Sequence, residues 1–189
     1  MGRNWNHLNG MMWKRIIYVF LCAGLILISI SCGNEPEAEN GLPAGALGSL
    51  ETILFEIRGV PVEIEVAVTP QEQQQGLMYR DSMPENHGML FVYPQPQYMS
   101  FWMKNTRIPL SIAFIREDGV ISNIEDMEPQ KGPLVPSERY VSRQKSLYAL
   151  EMNQGWFDKH GVKEGDQLEL PGEEIERIKQ KNQNNSLGR

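Results

Sequence analysis

The chain has 189 residues, of which 18 are basic and 24 acidic, so its formal net charge is −6. This length and a hydrophobic content of 41% suit one globular domain with extensions and leave little room for two. The acidic balance disfavours nucleic-acid binding, which depends on clustered Lys and Arg side chains that neutralise phosphates. Both cysteines, Cys22 and Cys32, lie in or beside an apolar run near the start. The predicted folded part therefore has no disulfide, thiolate nucleophile or cysteine-rich metal site.

The first 31 residues have the order of a secretory signal: a basic region, an apolar run of about fifteen residues, and the small residue Ser31 before Cys32. The run is shorter than the roughly 20 residues that a helix needs to span a bilayer. Its end, "SISC", resembles a bacterial lipoprotein signal, in which Cys32 becomes the lipidated first residue, although Ser29 stands where such signals usually have an aliphatic residue. We therefore predict a signal peptide over residues 1–31 and an extracytoplasmic, membrane-anchored lipoprotein. An uncleaved anchor and ordinary secretion remain the alternatives.

Composition divides the rest of the chain into three parts. Residues 32–49 are rich in Gly, Pro, Ala and Glu and predict a flexible tether, and residues 50–172 predict a β-rich domain. Residues 173–189 are polar and predict either a short solvated helix or a disordered tail. Cleavage before Cys32 would change the formal charge to −9, which further disfavours nucleic acid as a partner.

The domain begins with strand patterns and a helix signal. A strand is predicted over residues 53–57, and the alternation in "VPVEIEVAV" predicts a second, with valine and isoleucine on one face and Glu63 and Glu65 on the other. Thr69, followed by proline and with Glu72 three residues later, has the pattern of a capping box. We predict a short helix there that stops at Gly76.

Short strands dominate the remaining pattern. Strands are predicted in "GMLFVY", "SFWMKN", "LSIAFIRED", "VISNIEDM", "SLYALEM" and "DQLEL", and a second short helix in "QGWFDKHG". The predicted fold class is mainly β, a β-sandwich or jelly-roll-like open barrel with two short helical insertions.

Three phrases carry a resemblance to a known family. "GLMYR", "GMLF" and "FWMKNT" occur in this order, and the chain resembles the domain of unknown function 192 family over residues 53–170. The resemblance implies a compact, mostly β domain shaped like a jelly roll and no established activity. The family usually has Leu-Asp-Ile where this chain has Leu110, Ser111 and Ile112. If that aspartate were catalytic, this member would lack it.

The residues themselves indicate a binding module for a small polar or anionic ligand, or for an envelope protein partner. Arg offers a planar fork of donors, Asn a donor and an acceptor, and an indole ring suits a sugar or a cation. The candidate ligand-binding residues are Arg80, Trp102, Lys104, Asn105 and Glu151, with Tyr79 as a further wall. The structural alternative is that Arg80 and Lys104 form ion pairs with Glu151 or Asp81, while Trp102 packs in the core.

An enzyme is the second hypothesis. A hydrolase-like reaction would use Glu151 and Arg80, but no Gly-x-Ser-x-Gly turn surrounds the available hydroxyls, and the position of Ser111 lacks a second carboxylate. No catalytic residue, cofactor or metal ligand is therefore assigned.

Copper binding is the third hypothesis, because five methionines fall within 26 residues and thioethers select Cu(I). They are Met78, Met83, Met89, Met99 and Met103. Methionine more often fills gaps in a core. Strand alternation in "MSFWMKN" places Met99, Phe101 and Met103 in the core and Trp102 and Lys104 on the accessible face.

Overall fold

A computed structural model of the chain describes residues 50–132, 135–136 and 138–187. The predicted signal peptide, the tether and Cys32 lie outside the described residues. The elements are β1 (Thr52–Ile57), β2 (Val60–Ala67), α1 (Pro70–Gln75), β3 (His87–Gln97), β4 (Ser100–Trp102), β5 (Leu110–Ile115), β6 (Ile121–Met127), β7 (Arg139–Val141), β8 (Ser146–Asn153), α2 (Trp156–Lys159) and α3 (Gly172–Leu187).

The strands form two sheets. Six of them make a mixed sheet in the order β1-β2-β3-β8-β5-β6, and β4 and β7 pair as a two-stranded ribbon. The described strands close no barrel, because β1 and β6 are the two edges of the larger sheet. The predicted mainly β class is confirmed. The two short helices α1 and α2 also lie where they were predicted, and α3 lies in the polar tail, where a helix was one of the two predicted alternatives.

One connection places a segment of chain over the sheet. β2 and β3 are parallel neighbours, so the chain between them must cross one face of the sheet. The crossover contains α1, whose predicted capping box is present: Thr69 Oγ1 accepts from Glu72 N at 3.2 Å, and Thr69 N donates to the Glu72 carboxylate at 2.8 Å. At its end, Gly76 has a φ of 46° and passes so close to Phe91 that an added Cβ would lie 3.3 Å from that ring. The crossover therefore packs directly on β3.

Each face of the larger sheet has its own core. The helix-side core packs Trp156 and Phe157 of α2 and Ile175 and Ile178 of α3 on the sheet. The ribbon-side core is formed by the buried side chains Ala67, Leu77, Met89, Phe91, Met99, Met103, Ile108, Leu110, Ile112, Phe114, Met127, Tyr140 and Ala149. Burial of this much apolar surface on both faces is the main force that holds the layers together.

A buried asparagine joins the ribbon to the larger sheet. Asn123 of β6 is fully buried, and its amide donates to the carbonyl oxygen of Val141 in β7 at 3.1 Å. The same amide contacts Glu125, and its oxygen accepts from the Arg143 backbone at 3.0 Å. Because a buried amide must be hydrogen-bonded to be tolerated, Asn123 fixes where the ribbon docks.

Helix α3 lies within the predicted polar tail. It begins at Gly172 and buries Ile175 and Ile178 to 1% exposure each. The predicted domain boundaries stay predictions, although side-chain packing continues past residue 172. Within the described residues, no helix is long and apolar enough to span a bilayer.

The predicted last strand in "DQLEL" is wrong. There, only Gln167 forms an isolated bridge, to Val120. Asp166 is instead engaged in a turn, where its carboxylate accepts from the backbone of Lys163 at 2.9 Å and from Arg58 at 2.7 Å. β7 was not predicted, because three residues are too few to show a strand period.

Candidate functional site

Glu151 is the polar centre of the ribbon-side face. In β8 it is paired with Met89 of β3 and Ile112 of β5, both members of the ribbon-side core, so its side chain points to that side of the sheet. It is only 5% exposed. A carboxyl group is thus placed among apolar side chains in the middle of the sheet.

A cavity of about 80 Å³ lies over Glu151. The sheet, the crossover and the ribbon enclose it, since its lining residues come from all three. They are Gln73, Gln74, Gln75, Gly76, Leu77, Met78, Phe91, Tyr93, Ser100, Phe101, Trp102, Thr106 and Glu151. We call it the Glu151 cavity.

Four aromatic side chains line this cavity. Phe91 and Phe101 meet edge to face, with ring centroids 4.9 Å apart and planes at 83°. Phe101 also meets Phe114 of the ribbon-side core edge to face, at 5.8 Å. Tyr93 is half-buried, and Trp102 is 38% exposed. The predicted alternation along β4 is therefore correct, but Phe101 is a cavity wall as well as a core residue.

Burial changes the acidity of Glu151. Removal from water raises its pKa to about 8, because the charged form is disfavoured in an apolar surrounding. Its carboxyl has no hydrogen-bond or ion-pair partner among the described residues. The pKa of Tyr93 is also raised, first by burial and then by the charge of Glu151. At neutral pH the cavity thus contains a carboxyl group that is mostly protonated.

A second polar group in the cavity wall lacks a partner. Gln75 lines the cavity, and its Oε1 atom is buried without a hydrogen bond in the described part of the chain. The neighbouring Gln73 is committed to the fold, since its amide donates to the Val92 carbonyl oxygen at 2.8 Å and fastens α1 to β3. Gln75 therefore adds a second unsatisfied polar group to the cavity wall, although its Oε1 atom is closed off from solvent.

Arg80 lies elsewhere. Its guanidinium contacts both carboxylate oxygens of Glu65, at 2.5 and 2.8 Å, and this hydrogen bonding is the main cause that raises the pKa of Arg80. Arg80 does not line the Glu151 cavity. The structural alternative expected Arg80 to form an ion pair with Glu151 or Asp81. This is wrong, because Arg80 pairs with Glu65 and Asp81 pairs with Arg107.

Lys104 and Asn105 stand outside the cavity as well. The ammonium of Lys104 and the guanidinium of Arg139 lie 5.6 and 4.7 Å from the centroids of the Trp102 rings. Asn105 has a φ of 58°, and its amide donates to the Tyr79 hydroxyl at 2.8 Å. Of the five ligand-binding candidates, the structure brings only Glu151 and Trp102 to one cavity.

Sequence reasoning missed Gln75, Tyr93 and Phe91. Gln75 lines the cavity because the crossover between the parallel strands β2 and β3 lies over the sheet. Nothing in the sequence shows that these two strands are parallel. Tyr93 directly precedes a proline-rich stretch, and there the sequence pattern does not show which side chains point to which face of the sheet.

Three of the five methionines considered for copper are buried. Met89, Met99 and Met103 are members of the ribbon-side core, at 0%, 4% and 2% exposure. Their packing supports the interpretation that they fill a core. Among the described residues, no cluster of three His, Cys, Asp or Glu side chains could hold a metal ion.

Ser111 lies on the other face of the sheet from Glu151. It is the β5 neighbour of Ala113 and so faces the helix-side core, and its hydroxyl donates to Asp126 at 2.5 Å. The same hydroxyl accepts from the Gly155 backbone at 2.8 Å, just before α2. Ser111 is therefore not a catalytic partner position for Glu151.

A wider depression of about 370 Å³ lies between Pro96, Arg116, Glu117, Asp118 and Lys145. It is open to solvent, and the Arg116 guanidinium is already paired with Asp118. The Glu151 cavity is smaller but more enclosed, and it contains the unpartnered carboxyl of Glu151.

Comparison with known proteins identifies relatives without an assigned mechanism. The model of domain of unknown function 192, described as "Uncharacterized ACR", matches residues 53–170. A crystal structure of a protein of unknown function from Novosphingobium aromaticivorans is similar, with a TM-score of 0.57 and 30% identity over 73% of this chain and 99% of that one. A Sinorhizobium meliloti protein, provisionally described as a transcription regulator, has a TM-score of 0.53 and 40% identity over 58% of this chain and 82% of that one. No curated protein matches.

Proposed function

Because the chain belongs to the domain of unknown function 192 family, whose description assigns no activity, we propose a function from its own geometry. The domain is a binding module that takes a small polar ligand into the Glu151 cavity. Three features of the cavity support this proposal: the carboxyl of Glu151 without a hydrogen-bond partner, the aromatic wall and the small volume.

The observation that carries the proposal is the unpartnered carboxyl of Glu151. A buried polar group without a hydrogen bond costs about 1–3 kcal/mol by protein mutational data, so native proteins supply it with a partner. The described residues supply none, although Tyr93 and Thr106 line the same cavity. A ligand or ordered water is the partner that remains.

The size of the cavity limits the ligand. A water molecule occupies about 30 Å³ of the liquid, and a drug-sized ligand needs roughly 300 Å³ or more. The Glu151 cavity, at about 80 Å³, accepts a group of two to four non-hydrogen atoms. The ligand is therefore a small molecule, or the end of a larger one that reaches in past Trp102.

The lining favours a neutral or donor-rich group over an anion. The unpartnered group of the cavity, Glu151, is an acceptor when it is ionised, and neither Arg80 nor Lys104 lines the cavity. An anion would meet Glu151 without a counter-charge. Of the two ligand classes expected from the sequence, the geometry supports the polar one.

An acid–base enzyme is the second candidate. A carboxyl group with a pKa of about 8 can donate or accept a proton near neutral pH. The expected partner Arg80 is held by Glu65, so the reaction would rest on Glu151 and the nearby hydroxyls. Turnover of a bound ligand that is lost in Glu151→Gln would identify this case.

We propose that the module lies outside the cytoplasm, anchored through Cys32, because the first 32 residues have the pattern of a lipoprotein signal. The Sinorhizobium meliloti relative is described as a regulator. We do not propose DNA binding for this chain, because its net charge of −6 disfavours contact with phosphates.

A thermal-shift screen of the full-length protein at pH 7 tests the binding proposal. The compounds are small amines, amides, alcohols, carboxylates and phosphates, and a ligand at 100 times its Kd stabilises by about 2.7 kcal/mol, a shift of several degrees. The shift should be lost in Glu151→Gln and Trp102→Leu. It should persist in Glu169→Gln and Tyr98→Leu, exposed residues that do not line the cavity. Shifts that survive in Glu151→Gln, or no shift with any class, would overturn the proposal.

A further inference from the structure

We propose that the occupant of the Glu151 cavity is a protonated amine, such as the ammonium end of a larger molecule, held between the carboxylate and the aromatic walls. This inference rests on the proposed binding function and names its ligand class.

The walls of the cavity are electron-rich. Phe91, Tyr93, Phe101 and Trp102 all line it. The faces of such rings carry partial negative charge and attract ammonium groups within about 6 Å, most strongly where water is excluded. Trp102 already shows this preference, since Lys104 and Arg139 both lie over its rings.

The hydrogen-bonding groups point to the same chemistry. An ammonium has three donors and no acceptor, and the cavity offers it the two unpartnered oxygens of the Glu151 carboxylate as acceptors. Tyr93 and Thr106 also line the cavity, and each carries a hydroxyl that can accept a further hydrogen bond. A neutral amide would leave its own acceptor facing the carboxylate.

A metal cation fits this lining poorly. Hard cations such as Ca²⁺ require six to eight oxygen ligands, and Mg²⁺ requires octahedral oxygens at fixed distances. The Glu151 cavity contains one carboxylate, and the described residues hold no cluster of three metal-binding side chains. An organic cation needs no such shell, because the aromatic faces replace part of it.

Binding of a cation must couple to the proton on Glu151. In the unoccupied cavity the burial of Glu151 favours the protonated carboxyl. A cation next to it favours the ionised form, so the pKa falls and a proton leaves to solvent. Each bound ammonium should therefore displace close to one proton at pH 7, and its affinity should rise up to tenfold per pH unit between pH 6 and pH 8.

Calorimetry of the full-length protein with ethylammonium tests this coupling. Titrations at pH 7 in two buffers of different ionisation enthalpy count the protons released. Acetamide and acetate, which are similar in size, serve as the neutral and anionic probes. We expect ethylammonium to bind best with release of close to one proton, and Glu151→Gln to weaken it at least tenfold and abolish the release. Glu169→Gln should behave as the native protein.

NMR provides a readout that does not depend on affinity alone. The carboxyl resonance of Glu151, assigned by its loss in Glu151→Gln, should titrate at least one pH unit lower with saturating ethylammonium and be unchanged with acetamide. Tighter binding of acetamide or acetate, still dependent on Glu151, would overturn the ammonium inference and leave the binding function intact. If no probe and no compound of the thermal screen binds, both proposals fail together.

Discussion

The guanidinium of Arg80 and the carboxylate of Glu65 form a two-point ion pair, with both nitrogen–oxygen distances at 2.5 to 2.8 Å. Glu65 is the register partner of Met89, and Met89 is the partner of Glu151, so the two acids share one face of the sheet two strands apart. At a strand spacing of about 4.8 Å, their backbones are about 10 Å apart. Arg80 neutralises Glu65, whereas Glu151 on the same face has no counter-charge among the described residues.

The ion pair predicts that Arg80→Ala affects stability and leaves binding unchanged. Both side chains are about one-third exposed, so solvent screens the interaction, and we expect a loss of roughly 1 kcal/mol at low salt and less in 1 M salt. Chemical denaturation measures the loss, and a double-mutant cycle with Glu65→Gln isolates the pair. A loss of ligand binding equal to that of Glu151→Gln would contradict the placement of Arg80 outside the cavity.

The burial of Glu151 predicts that stability falls as pH rises. Below its ordinary pKa of 4.5, Glu151 is protonated in both states, and its burial carries no charge. Between that value and a folded pKa of about 8, the unfolded chain ionises while the folded one does not. The free energy of unfolding should therefore drop over this window, on the order of 5 kcal/mol in total. Urea denaturation at pH 5, 7 and 9 measures it.

Glu151→Gln is the matched test of that slope. A neutral amide removes the titration, so the variant should lose this part of the pH dependence and exceed the native protein in stability at pH 9. Glu169→Gln, an exposed control, should keep the native slope. An unchanged slope in Glu151→Gln would show that another group is responsible.

Replacing Ser111 with aspartate should create a charge conflict between β5 and β6. Its hydroxyl bridges Asp126 and the Gly155 backbone, and Ser111→Asp would set two carboxylates side by side on β5 and β6. We expect a loss of about 1–3 kcal/mol at pH 7 that shrinks on acidification, because protonation of one carboxyl removes the repulsion. Thermal denaturation at pH 4 and pH 7 measures it.

The double variant Ser111→Asp with Asp126→Ser restores one acid and one hydroxyl across the same pair of strands. It should recover most of the stability. Failure to recover would mean that the aspartate clashes for another reason than charge.

At Gly88 the strands β3 and β8 pack too closely to admit a side chain. A Cβ at this position would overlap the carbonyl oxygen of Glu151 and the sulfur of Met152. Gly88→Ala should therefore destabilise by about 1–3 kcal/mol and disturb the cavity floor. Gly172→Ala, where a Cβ meets no atom within 4 Å, is the control and should cost little. The denaturation midpoints of both variants measure the difference. Equal midpoints would contradict the close approach of β8 to Gly88.

Local patterns predicted much of the fold. Thr69 and Glu72 mark the capping box, and the period in "VPVEIEVAV" assigns the faces of β2, because both signals depend on neighbours a few residues apart. The parallel pairing of β2 and β3 depends on contacts distant in sequence, so the crossover above Glu151 had no local signal. The last strand failed for the converse reason, since Asp166 bonds in a turn that competes with strand pairing.

The candidate site was predicted only in part. The sequence predicts Glu151 and Trp102 as ligand-binding residues because one is polar and the other aromatic, and both line the cavity. The sequence also predicts Arg80 and Lys104, because cations bind polar ligands. Cations equally bind a neighbouring carboxylate or aromatic ring, and here Arg80 contacts Glu65 and Lys104 contacts Trp102. Which partner a cation takes is decided by tertiary geometry.

The most direct measurement is a crystal structure of the protein soaked with the compound that gives the largest Glu151-dependent thermal shift. We predict density for the compound within hydrogen-bond distance of the Glu151 carboxyl, enclosed by Phe101 and Trp102. Density for the compound at Arg116 and Lys145 instead, with ordered water alone over Glu151, would contradict the assignment of this cavity as the binding site.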